Sequence, residues 1–147
     1  MEFMHDDRYN PVDLKATTTP EGRRYQTPSG KLYESVTTAL GKDPEKKRSL
    51  MEWRKRVGNE EANRISRLAS TRGTAMHTIC ENYLNNEEDY IGKAMPNAID
   101  MFRTIQPVLN KAISKVYMQE CALYSDEYRL AGRVDCIADI QGKLTVV

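Results

Sequence analysis

Cysteine is scarce: Cys80, Cys121 and Cys136 are the only three in 147 residues, far apart and without a C-x-x-C pair. That usage excludes a disulfide framework and a zinc knuckle, and it predicts a reducing, cytoplasmic setting. Histidine is scarcer, at two, so imidazole chemistry has only His5 and His77 to draw on. Aromatic residues make up 7% of the chain, which predicts a thin core. No apolar run approaches the roughly 18–20 residues that a membrane span needs. The first residues lack a basic stretch followed by an apolar one, so no secretory leader is expected. A phosphate-cradling Gly-rich loop, a Ser nucleophile elbow, H-E-x-x-H and a dinucleotide fingerprint are all missing. Net charge of one sign is missing too. Lys and Arg number 22 against 21 Asp and Glu, a formal +1, which excludes a polybasic arm or an acidic tail.

What is present is a segregation of that charge. Residues 42–72 hold ten basic and five acidic side chains, whereas residues 73–100 hold one basic and five acidic. Two readings fit: solvated helix faces of opposite sign, or a phosphate-binding stretch beside a metal-binding one.

Residues 1–30, with Pro11, Pro20, Pro28, Gly22 and Gly30, read as an extended N-terminal segment with a short strand at 24–27. Asp43-Pro44-Glu45 is a helix opening: an N-cap acid, proline at the first position, then an acid at the positive end of the dipole. That helix carries Leu50, Trp53 and Val57 and stops near Gly58, with Trp53 expected in the core. A second helix starts at 59–61 and continues to about residue 85, with Gly73 as an interruption or close packing point. Pro96 opens another, whose apolar stripe runs from Ile99 to Val116 across a kink at Pro107. From Met118 the pattern becomes strand-like over 118–124, 128–138 and 143–147, an antiparallel meander. A chain that stops inside a strand predicts a truncated protein.

Few residues are placed for chemistry. His77 and Glu81, four apart, share a helix face with Thr74. They form either a simple stabilising pair or a nitrogen and an oxygen for one divalent cation. Asp135 lies in Gly132-Arg133-Val134-Asp135-Cys136-Ile137, apolar on both sides. A carboxylate there needs a cation or hydrogen-bond donors, unless its strand is an edge facing water. Glu120 in the preceding strand can reach the same sheet face. The three cysteines read as core.

Four stretches in this order resemble the N-terminal part of a PD-(D/E)XK nuclease of the RecB-like exonuclease group. They are Tyr33-Glu34-Ser35-Val36-Thr37-Thr38-Ala39-Leu40, Trp53-Arg54-Lys55-Arg56-Val57-Gly58, Arg72-Gly73-Thr74-Ala75-Met76-His77 and Ala131-Gly132-Arg133-Val134-Asp135. The resemblance implies an α/β, restriction-endonuclease-like core, a small mixed sheet flanked by helices with its C-terminal part missing. It assigns residues 31–147 to the N-terminal portion of one nuclease domain. It implies a divalent-metal-dependent DNA exonuclease acting on single strands or ends. His77 and Asp135 would ligate Mg²⁺ or Mn²⁺, with Glu81 and Glu120 as further catalytic acids. The second strand acid and its lysine would fall beyond Val147, so the chain alone is expected to be inactive without a completing segment or chain. For DNA contacts the same reading offers Ser35, Thr37, Thr38, Arg54, Lys55, Arg72 and Thr74, with Arg56, Arg64 and Arg67 extending the basic path and Trp53 or Tyr33 stacking on a base. The alternative is a non-catalytic DNA-binding or partner-binding module on the same scaffold.

Overall fold

The computed structural model describes all 147 residues. Strands β1 (Met4–His5), β2 (Lys15–Thr19), β3 (Gly22–Gln26) and β4 (Leu32–Ser35) lead into helices α1 (Val36–Leu40), α2 (Pro44–Val57), α3 (Asn59–Leu84) and α4 (Pro96–Ala112), and the chain ends in β5 (Ile113–Ser125), β6 (Leu130–Ile140) and β7 (Lys143–Val146). The fold is α/β. All seven strands form one mixed sheet in the order β1-β5-β6-β4-β3-β2, with β7 also on β6. β1–β5 and β4–β6 are parallel pairs, and the remaining pairs are antiparallel.

The arrangement around β6 positions everything that follows. β5 accompanies β6 along its whole length. On the other edge β4 pairs only with Leu130 and Ala131, and β7 only with Ile137 to Ile140. The two short strands leave a split between them, and Asp135 stands at its margin, its N–H donating to the Val147 carbonyl at 3.0 Å. Asp135 therefore escapes the apolar surroundings its neighbours suggest: its side chain is 53% exposed.

One core joins α3 and α4 to the sheet through Ile79, Tyr83, Leu84, Phe102, Ile113, Val116, Cys136 and Ala138. A smaller one, Leu14, Tyr25, Tyr33 and Ala131, lies beneath the β2–β4 ladder. The N-terminal residues belong to both, so residues 1–30 are part of the sheet rather than a separate extended segment. Phe3 is buried against Tyr83, its N–H and C=O both bonded to the Asn86 amide at 2.7 and 2.8 Å. His5 Nε2 donates to the Leu84 carbonyl at 2.8 Å. Next to it Asp6 is held by Arg8 and by Lys115 at 3.4 Å.

That clamp has a pH signature. The Arg8 guanidinium hydrogen-bonded to Asp6 keeps its carboxyl well below the usual carboxylate range. On acidification the unfolded chain takes up this proton first, so the stabilisation is complete above the ordinary carboxylate value of 3.8 and fades below it. Asp6→Asn is expected to lower the melting temperature at pH 7, with the gap from wild type closing as pH falls below about 4. A gap of the same size at pH 7 and at pH 2 would assign the effect to packing.

The helices follow their sequence signals at the ends. Asp43 Oδ1 accepts from Glu45 N–H at 2.9 Å, Pro44 opens α2, and Gly58 at φ +88° turns the chain into α3. Their interiors differ from expectation. α2 buries nothing, and Trp53 is only half-buried, because α2 packs chiefly on α3. From Pro44 to Thr78 only Ala62 is buried. Gly73 neither interrupts α3 nor marks close packing, since a Cβ there would meet nothing within 4 Å. The stripe assigned to one helix through Val116 divides at Ala112. Register shifts at 113–115 and 116–118 are bulges that change which face a residue addresses. Ile113 and Val116, three apart in a strand, thus join the same core and imitate a helical spacing.

Candidate metal centre

α3 carries His77 to the split beside β6. Its Nδ1 lies 3.2 Å from Asp135 Oδ2, and the two side chains are 52% and 53% exposed. Glu120 arrives from β5: the pairs Gln119–Cys136 and Cys121–Val134 bracket it directly opposite Asp135. One nitrogen or oxygen atom from each of His77, Glu120 and Asp135 falls within a mutual 4.8 Å. Three side chains from a helix and two strands thus converge on one point.

Glu120 reaches it at a conformational expense. Its φ is +47°, a left-handed value that a non-glycine residue in a strand adopts at about 1–3 kcal/mol and that concentrates at functional sites. Glu120 Oε2 also accepts a 2.8 Å bond from Arg133 Nε, and its side chain is 27% exposed. That bond raises the Arg133 guanidinium further above its ordinary value, with a smaller push from the charge of Glu81. Behind the cluster, burial pushes the Cys80 and Cys136 thiols up to about 11, with the Asp135 charge adding to it. Both stay protonated, apolar supports at neutral pH.

The donor set suits a hard or borderline divalent ion. Two carboxylates and water satisfy Mg²⁺ or Mn²⁺, and the imidazole tilts the preference toward Mn²⁺.

The structure brings His77, Asp135 and Glu120 together and leaves Glu81 outside the triad, near Arg133. Arg133 is the participant that sequence reasoning passed over, although it sits two residues before Asp135. The hydroxyls proposed for DNA divide. Ser35 is 2% exposed. It caps α1 by accepting from Thr38 N–H at 3.0 Å and donates to Thr38 Oγ1 at 2.7 Å. Thr38 Oγ1 in turn accepts from Arg23 N–H. The Ser35 hydroxyl is thus engaged within the fold. The Tyr33 ring is buried, and its OH donates to Asp126. Thr37 and Thr74 are exposed. Arg54 binds Asn59 and Asn63 and so fastens α2 to α3, and Arg64 pairs with Glu61 at 2.7 Å. Lys55, Arg56, Arg67 and Arg72 are exposed and unpaired. At 1.5 Å per residue, Arg72 lies about 8 Å and Arg67 about 15 Å along α3 from His77.

No protein-family model matches the chain, and no curated protein matches it significantly. No helix is long and apolar enough to cross a membrane.

Proposed function

We propose that the chain is the metal-holding portion of a DNA exonuclease with a restriction-endonuclease-like core, acting on single strands or DNA ends. The observation that carries the reading is the convergence of His77, Glu120 and Asp135 from three elements within 4.8 Å. A divalent ion held by these residues would offset charge on the phosphate oxygens and lower the pKa of a bound water. The chain's own residues hold and orient: Asp135 fixes the His77 ring through Nδ1. The exposed cations Arg67 and Arg72 lie on the same helix as His77 and would bind phosphates along α3. In these residues β7 offers no acid, and its lysine, Lys143, pairs with Ile140 at the strand's far end from Asp135. The reading expects an acidic-x-Lys pair to join this cluster in the active protein, with little turnover where that pair is missing. Reading the source DNA beyond codon 147 tests this: an acidic-x-Lys motif supports it, and a stop codon without a completing gene opposes it.

Binding to single-stranded DNA is expected to weaken steeply with salt. With three or four phosphates engaged by Lys55, Arg56, Arg67 and Arg72, the slope of log K against log salt should be about −2 to −3. A flat profile in fluorescence-anisotropy titrations would remove the basic path. One observation favours the second reading, a non-catalytic DNA-binding module: Glu120 is already neutralised by Arg133. Under it, EDTA and His77→Ala leave DNA affinity unchanged.

A further inference from the structure

Glu120 belongs to two environments. A carboxylate oxygen of Glu120 lies within 4.8 Å of ligand atoms of His77 and Asp135, and Oε2 accepts from Arg133 Nε at 2.8 Å. Glu120 also lines a groove of about 400 Å³ together with Asp13, Arg23, Tyr25, Gln119 and Arg133 among others. Arg133 thus touches both the carboxylate and the groove, and its side chain is 59% exposed. Arg23, the second guanidinium along this wall, has no ion-pair partner.

We propose that Arg133 is a positioning residue that occupies Glu120 in place of the metal and, once displaced by the ion, turns into the groove with Arg23 to bind a nucleotide phosphate. The inference rests on the metal-centre reading above. Two physical points support it. A guanidinium on a would-be ligand opposes a divalent cation a few ångströms away, since the two positive charges compete for one carboxylate. An arginine fork also matches phosphate oxygens as well as it matches a carboxylate, so its release creates a phosphate site at the moment the metal arrives. Loading the ion and seating the substrate are then coupled through one side chain.

Mn²⁺ affinity of the intact chain, measured by calorimetry, separates the alternatives. Arg133→Gln removes the competing charge and is expected to tighten Mn²⁺ binding about fivefold, whereas Arg133→Lys, which keeps the charge, should stay near wild type. Thymidine 5′-monophosphate should bind wild type more tightly with Mn²⁺ than without it, and Arg133→Gln should abolish that gain. Unchanged or weaker Mn²⁺ binding by Arg133→Gln would overturn the proposal and make the arginine a mere support of Glu120. In that case Mn²⁺ binding that is still lost in His77→Ala leaves the metal centre standing. Absence of Mn²⁺ binding in wild type and Arg133→Gln alike overturns both.

Discussion

His77→Ala and Asp135→Asn are each expected to lower Mn²⁺ affinity by on the order of 10²-fold or more, the scale seen when a metal site loses an essential support. Any cleavage by a completed protein should fall at least as far. Their effect on stability should be small, within about 0.5 kcal/mol, because both side chains are half-exposed and lie outside the two cores. That contrast is the point of the experiment. A variant that loses the ion yet melts like wild type has lost a ligand, while one that loses both has lost a fold. Glu81→Gln serves as the comparison. It shares the helix face of His77 but lies outside the triad, so Mn²⁺ affinity should change severalfold at most.

Phe102→Ala carries the largest expected stability effect. Phe102 is 1% exposed and meets Tyr83 edge-on at 5.2 Å and Tyr90 at 5.6 Å. Truncating such a ring costs about 3–5 kcal/mol, the lost transfer energy plus the cavity left behind. A domain of this size has roughly 5–15 kcal/mol in all, so the variant should stand near the edge of unfolding. Urea denaturation should show a midpoint shift of that size with an unchanged slope. A loss below about 1 kcal/mol would mean that α4 does not seal the core as described. Leu50→Ala on exposed α2 is the opposite case and should be nearly silent.

Much of the fold was legible where local chemistry decides it. The Asp43-Pro44-Glu45 opening, Gly58 between two helices, Pro96 and the C-terminal meander all act through neighbours in sequence. What escaped was decided at long range. Residues 1–30 carry the prolines and glycines of a loop, yet Phe3, Leu14 and Tyr25 are claimed by cores whose other members lie far along the chain. α2 has helical spacing of apolar residues but no layer above it, so spacing alone misplaced Trp53 in the core. Ile113 and Val116 mimic a helix because bulges restore a three-residue repeat to a strand.

The candidate site divides in the same way. The His77–Glu81 spacing invited a pair on one helix face, but the imidazole turns to Asp135, nearly sixty residues away. Asp135 stands in an apolar strand, yet half of its side chain is exposed. Its solvation comes from the split between β4 and β7, which no local pattern announces. Glu120 depends on a left-handed backbone at a residue that is not glycine, and nothing in its neighbours signals it. Arg133 was visible in the Gly132–Asp135 motif, but its bond to Glu120 appears only when β5 and β6 are paired.

The most direct test of the metal centre is paramagnetic broadening of backbone amide signals by substoichiometric Mn²⁺. The account predicts that amides near His77, Glu120 and Asp135 broaden first and together, with those at the start of α3 (59–62), more than about 20 Å along the helix from His77, spared. Broadening centred on the exposed acids Glu87, Glu88 and Asp89, with the three-element cluster untouched, would contradict it.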